Sequence, residues 1–130
     1  MITYRTMLCR EGEWTPDGRQ IAPGALTWPR LPLPLAYQER TRYPQAAGVI
    51  TQVWRRAAQR DEILAIVEAA EPIYPPVVAI DLSAMVAREV TRGWIRRRKA
   101  IVIEDARLAG ATLIGSGRIL DWGILEPHDG

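Results

Sequence analysis

Short apolar runs, separated by turn signals, extend along most of the chain and predict a β-rich fold. Residues 2–8 alternate apolar and polar side chains, as a strand with one buried face does. Residues 48–54 also predict a strand, with Val49, Thr51 and Val53 on one face, and the apolar run at 77–82 predicts a buried strand. Residues 61–69 fit a strand or a short helix, because periodicity alone does not separate the two in so short a run.

The C-terminal third of the chain predicts further strands. Residues 101–103 and 108–114 are two apolar runs, and Gly110 within the second predicts a bulge or a close backbone approach. The Gly-Ser-Gly sequence at 115–117 predicts a turn. Residues 119–125 then predict a final strand or an extended arm.

One main helix is predicted at about residues 84–98. Ser83 precedes it as a natural N-cap. Apolar and basic residues recur at helical spacing, with Val86, Val90 and Trp94 on one face and Arg88, Arg92 and Arg96 on another. Gly93 opposes the helix by about 1 kcal/mol.

The 130 residues predict a single domain of the β-rich α+β class spanning residues 1–130. Pro16-Asp17-Gly18 is a strong turn signal. Residues 22–44 are rich in proline and predict an extended segment, because proline removes amide donors and keeps the preceding residue out of the helical region. Residues 126–130 predict a loose tail.

The amino-acid composition limits the kinds of site and location that we expect for this chain. Sixteen of the seventeen basic residues are Arg, and the net charge is only +2. Arginine is suited to protein interfaces, although a codon bias would produce the same excess. The one cysteine, Cys9, excludes an intramolecular disulfide and a cysteine-based metal site. No signal pattern and no apolar run near the roughly 18 residues of a membrane span is present, so we expect neither export nor membrane insertion.

Candidate catalytic groups are few. Ser83 is explained as a helix cap, Ser116 lies in a glycine turn, and the one histidine, His128, lies in the predicted loose tail. A nucleophile needs a base within hydrogen-bonding reach, and these residues do not suggest such a pair. We therefore expect no catalytic site.

Metal, cofactor and phosphate sites are not expected either. The carboxylate pairs Asp61-Glu62 and Glu104-Asp105 consist of adjacent residues, which point to opposite faces of a strand and predict solvated charge. The Gly115–Arg118 sequence lacks the spacing and the lysine of a phosphate-binding loop.

A nucleic-acid interface is the weaker alternative for the basic clusters. Arg55, Arg56 and Arg60 could join residues 96–99 in one patch, with two tryptophans, Trp54 and Trp94, as stacking groups. The tryptophans fall at apolar-face positions, however, and the 96–99 run suits the C-terminus of a helix.

Two stretches carry a family resemblance. Residues 17–28, Asp-Gly-Arg-Gln-Ile-Ala-Pro-Gly-Ala-Leu-Thr-Trp, are followed by Leu-Pro-Leu-Pro-Leu at 31–35 and a Val-Gly-like strand at 47–50. Residues 106–113 form the second stretch. In this order they resemble the capsid maturation (prohead) proteases of actinobacterial tailed phages. The resemblance implies a compact β-barrel of the prohead and herpesvirus protease type, in a phage head.

The same resemblance implies that the catalytic residues are missing. Family members use a Ser nucleophile and a His base, and residues 41–44, where the His belongs, contain none. The Ser position falls on Ala79 in one alignment and near Val102 in another. We therefore expect an inactive, shortened homologue that acts as a capsid decoration or minor capsid protein in the virion, assembled in the host cytoplasm.

Its implied partner is the phage major capsid protein, and a homo-oligomer is compatible with the sequence. Two other functions stay open. The first is an active maturation protease with an atypical site at Ser83 or Ser116, and the second is a nucleic-acid-binding module.

Overall fold

Strands account for all the regular structure in the computed structural model, which describes residues 1–38, 45–56, 58, 61–70, 77–93, 95–114 and 123–127. These residues form nine strands and no helix: β1 (Ile2–Arg10), β2 (Arg19–Ile21), β3 (Leu26–Thr27), β4 (Leu33–Gln38), β5 (Gln45–Arg55), β6 (Glu62–Ala69), β7 (Val77–Arg92), β8 (Arg98–Ile114) and β9 (Gly123–Pro127). The predicted β-rich class is therefore confirmed.

The strands pair in the order β2-β8-β4-β5-β6-β1-β9-β7, and β7 pairs again with β8. This sheet curls into a half-barrel around a single apolar core. Its fully buried side chains come from most of the strands and include Leu8, Cys9, Ile21, Leu26, Leu35, Ile50, Ile63, Val67, Val78, Leu108 and Leu113. Strand β6 is the most deeply buried, since seven of its eight residues are buried.

The predicted helix at 84–98 is wrong. Residues 84–92 continue β7, and β8 begins at Arg98 and pairs antiparallel with β7 as far as Arg92. Val86 and Val90 are four residues apart, which fits the two-residue period of a strand as well as a helical turn, and β-branched residues favour strands. Gly93 has a φ of +80° and lies between the two strands, so the residue that opposed the helix is part of the turn.

The strands predicted at 2–8, 48–54 and 77–82 are confirmed within β1, β5 and β7, and residues 123–125 of the predicted final strand lie in β9. Residues 61–69, for which the sequence left helix and strand open, are mostly the strand β6. The runs at 101–103 and 108–114 belong to one strand, β8. Gly110 is both a close approach, since a Cβ there would lie 2.6 Å from the Pro34 carbonyl oxygen, and the site of a register shift against β7.

The proline-rich segment contributes strands as well. Part of it forms β4, which lies between β5 and β8 in the sheet, and residues 39–44 lie outside the described residues. Glu126 and Pro127, predicted in the loose tail, pair with β1 as the end of β9. The predicted turn at 115–117, the residues 119–122 and the end of the tail at 128–130 also lie outside the described residues.

Candidate functional site

A short segment at residues 14–27, called the brace below, lies along one edge of β8. It begins with the predicted Pro-Asp-Gly turn, in which Gly18 has a φ of +84° and donates its N–H to the Thr15 carbonyl (3.1 Å). The Gly18 carbonyl in turn accepts a hydrogen bond from the Ile101 N–H (2.9 Å). Strands β2 and β3 then pair in parallel with β8, so the brace supports β8 opposite β7.

The outer part of the β7–β8 hairpin is called the arm below and comprises Ser83 to Gly93 and residues 95–107. Its β7 side and its turn are exposed, whereas Ala100, Val102, Ile103 and Ala106 on its β8 side are buried. Ten residues of strand extend about 33 Å. Beyond Val78, the outer edge of β7 pairs with no other strand in the described ranges. The largest exposed apolar side chains of the arm are Met85, Val86, Ile95 and Ile101.

Five cations cluster at the end of the arm and are called the cationic tip: Arg92, Arg96, Arg97, Arg98 and Lys99, all exposed. Arg92 and Arg98 are direct cross-strand partners, a placement that is destabilising for like charges. The Arg92 guanidinium lies over the Trp14 ring of the brace, 4.1 Å from its centroid, which offsets part of that cost.

A surface groove of about 360 Å³ separates the cationic tip from the Pro16–Gly18 turn. The carboxylate in this groove, Asp17, accepts hydrogen bonds from the Thr15 hydroxyl and from Arg19 Nε (2.9 Å). Burial acts to raise the pKa of Asp17, but the hydrogen bonds from Thr15 and Arg19 outweigh it and lower that pKa. The Asp17 carboxylate is thus paired with Arg19 within the brace.

Ser83 lies at an irregular point of β7. The register against β8 shifts between Ser83 and Val86, and Ala84 has a φ of +48°, which is rare for a residue with a side chain. The exposed Ser83 hydroxyl donates to the Arg107 carbonyl (3.4 Å). The predicted N-cap role is wrong because no helix follows, and His128, the candidate base, lies outside the described residues.

The two positions that the resemblance assigns to a serine lie in neighbouring strands. Ala79 is in β7 opposite Thr112, and Val102 is buried in β8 opposite Arg88. The Thr112 hydroxyl donates to the Asp81 carboxylate (2.9 Å). Neither assigned position carries a nucleophile, and Ser116, the other candidate, lies outside the described residues.

Sequence reasoning missed a buried ion pair between Glu11 and Arg55. Glu11 is 4% exposed, and its Oε1 accepts a hydrogen bond from Arg55 Nη1 (2.9 Å) while its Oε2 accepts one from the Leu26 N–H (3.0 Å). Arg55 also donates to the Leu26 carbonyl (2.7 Å) and lies over the Trp28 ring. The pair therefore connects the end of β1, β3 and the end of β5.

Glu62 was predicted to be a solvated charge, and that prediction is wrong. It is 5% exposed, and its oxygens accept hydrogen bonds from Arg10 and Arg56. The antiparallel register of β1 and β6 places Arg10 directly opposite Glu62. The hydrogen bond from Arg10, followed by the one from Arg56, lowers the pKa of Glu62.

These ion pairs remove two arginines from the basic patch that was predicted as a nucleic-acid interface. Arg55 and Arg56 are bound by buried carboxylates, so their charges are neutralised within the fold. Arg60 and Trp94 lie outside the described residues, and Trp54 is half-buried on β5. Among the described cations of that patch, residues 96–99 of the cationic tip are the ones that no buried carboxylate neutralises.

No three His, Cys, Asp or Glu side chains come together as a metal site within the described ranges. The same ranges include no helix that could span a membrane. The carboxylates Glu104 and Asp105, predicted to be solvated, are both exposed on the arm, where Glu104 pairs with Arg88.

No protein-family profile, curated protein or solved structure matches this chain.

Proposed function

We propose that this chain is a phage virion structural protein, a capsid decoration or minor capsid protein, built on an inactive maturation-protease fold that binds the major capsid protein. The observation that carries the docking role is the exposure of the β7 side and the turn of the arm. Met85, Val86 and Ile95 are each more than half exposed there. Exposed apolar side chains that are interspersed with arginines are typical of a surface that another protein covers.

The placement of the two resembling stretches supports the proposed origin. Leu26 of the first stretch pairs in parallel with Ala106 of the second, and Leu35 pairs with Ala111. Two stretches that resemble one family, although far apart in the sequence, are thus hydrogen-bonded neighbours. Such a pairing is expected if both belong to one inherited structural unit.

The surroundings of Ser83 support the absence of catalysis. Its hydroxyl bonds to a backbone carbonyl, whereas a nucleophile needs a base that accepts its proton. The residues at the two assigned nucleophile positions, Ala79 and Val102, have no hydroxyl.

The test of the docking role is the composition of the particle. We expect mass spectrometry of purified phage particles to detect this chain at a fixed ratio to the major capsid protein. Cryo-electron microscopy of the same particles is expected to place it on the capsid. Particles that lack the chain would contradict the proposal.

An active protease is the second candidate, and one observation favours it. Ala84 has a φ of +48° beside the exposed Ser83, and strained backbone often occurs at functional sites. Co-expression with the major capsid protein, followed by gel analysis, tests it. Cleavage of the capsid protein by the wild type that is lost in Ser83→Ala or Ser116→Ala would show that the chain is an active protease. A capsid protein that stays intact would support the structural role.

A further inference from the structure

The cationic tip has a charge that the described part of the chain does not balance. Of its five cations, Lys99 pairs with Glu89 (3.5 Å) and Arg92 stacks on Trp14. Arg96, Arg97 and Arg98 have no carboxylate partner within the described ranges. The guanidinium groups of these three adjacent residues repel one another. Binding of an anionic ligand would reduce this repulsion.

We propose that the cationic tip binds an acidic segment of a partner protein, one that also offers apolar side chains to Ile95. This inference rests on the proposed docking role and extends it by assigning the contact surface and its chemistry. Ile95 lies between Gly93 and the three arginines and is 80% exposed. An ion pair alone would not use that side chain, whereas an apolar side chain of the partner would remove it from water.

The composition of the tip favours protein over nucleic acid. The phosphate groups that a basic tip would contact on a duplex offer no apolar surface to Ile95, which is 80% exposed beside the three arginines. The described aromatic ring beside the tip, Trp14, already has Arg92 on it, which leaves that face unavailable for a base. Four of the five cations are Arg, which is enriched at protein–protein interfaces, where Lys is depleted.

Fluorescence anisotropy with three probes tests the proposal. The first probe is a labelled ten-residue peptide of alternating Glu and Val, the second is the same peptide with Gln in place of Glu, and the third is a labelled 20-base-pair DNA duplex. We expect the full chain to bind the acidic peptide at least tenfold more tightly than the other two. Binding is expected to weaken with added salt, because exposed charges are screened.

The decisive comparison uses two double variants of equal charge. Arg96→Gln with Arg97→Gln removes two cations from the tip, and Arg5→Gln with Arg30→Gln removes two exposed cations elsewhere. We expect the first to weaken peptide binding at least tenfold and the second to change it less than twofold. Equal melting temperatures of both variants and the wild type would exclude unfolding as the cause.

Ile95→Ser tests the apolar part of the contact. We expect it to weaken binding of the acidic peptide severalfold at unchanged salt dependence. A wild-type chain that binds no peptide, binds DNA more tightly than the acidic peptide, or responds equally to both double variants would overturn the proposal. An unaltered affinity of Ile95→Ser would overturn its apolar part.

This inference and the proposed function can fail separately. If the chain is found in particles and the Arg96→Gln, Arg97→Gln variant is incorporated as well as the wild type, the docking role stands and the assigned surface is wrong. If the chain is absent from particles while the acidic peptide binds as expected, the capsid proposal is wrong and the tip still binds acidic protein segments.

Discussion

Glu11 shows how a single buried charge holds several strands together. Its carboxylate accepts hydrogen bonds from the Arg55 guanidinium and from the Leu26 amide, and both partners lie far from it in the sequence. Removing one partner of a buried pair leaves the other charge uncompensated. The Arg55 side chain is 24% exposed, however, so water would relieve part of the cost.

We predict that Glu11→Gln lowers the free energy of unfolding by about 2 kcal/mol, within the range for a lost charged hydrogen bond. Urea denaturation measures it. The matched control is Glu104→Gln, which removes an exposed pair with Arg88 and should cost less than about 1 kcal/mol. Equal losses in the two variants would show that burial of Glu11 contributes nothing.

Glu62 makes stability depend on pH. Hydrogen bonds from Arg10 and Arg56 lower its folded-state pKa below the ordinary value of 4.5. The stabilisation is therefore fully present above that ordinary value and is lost as the pH falls through the folded-state pKa. We predict that the wild type loses stability below about pH 4.5, and that Glu62→Gln, which does not titrate, loses less over the same interval.

Urea denaturation between pH 3 and 7 measures this difference. Identical pH slopes for wild type and Glu62→Gln would contradict the assigned role. At neutral pH the variant should already be less stable than the wild type, because Arg10 and Arg56 lose their anionic partner.

At the scale of the element, the register between strands determines which side chains fit at each position. Gly48 on β5 lies opposite Leu35 of β4 and Ala69 of β6. A Cβ at Gly48 would overlap the carbonyl oxygen of Glu68, a backbone atom that cannot rotate away. The φ of Gly48 is not positive, so its backbone conformation does not require glycine. The close approach of the β6 backbone does.

We predict that Gly48→Ala destabilises the protein by about 3 kcal/mol, because β5 must move away from β6. Gly24→Ala is the control: its φ is +78° but nothing lies within 4 Å of a Cβ there, so we expect a cost near 1 kcal/mol. Thermal unfolding measures both. A smaller loss for Gly48→Ala than for Gly24→Ala would contradict the steric explanation.

The error at 84–98 also belongs to the element scale. Spacing of four residues between Val86 and Val90 satisfies both a helix and a strand, and arginines at the same spacing do not distinguish them. The partner strand β8 supplies the hydrogen-bond ladder that selects the strand, and it follows only after the turn at Gly93. The residue pattern of 84–98 taken alone therefore does not show that the segment forms a strand.

At the scale of the whole molecule, stability is expected to be uneven. The half-barrel buries its side chains on one continuous core, whereas most of the arm from Ser83 to Arg92 is exposed. Segments with few buried apolar contacts open at lower free energy than core strands. The brace holds the β8 side of the arm, so the β7 side is the freer of the two.

We predict that amide hydrogens of residues 86–92 exchange at least tenfold faster than those of Glu62–Ala69, measured by native-state hydrogen exchange. Residues 101–103, which pair with β2, should exchange at an intermediate rate. Equal protection of the arm and β6 would mean that the arm opens only when the whole protein unfolds, and it would contradict this uneven picture.

Alternation, turn chemistry and glycine act over a few residues, so the β-rich class, the turn at Pro16–Gly18 and the close approach at Gly110 could be predicted from the sequence. The tertiary structure alone decided that 84–92 is a strand, that Glu62 is buried between two arginines, and that five cations meet at the end of an arm. Each of these depends on which strand lies beside which. Arg10 lies opposite Glu62, 52 residues away, because β1 pairs with β6, and the pattern within either segment does not specify that pairing.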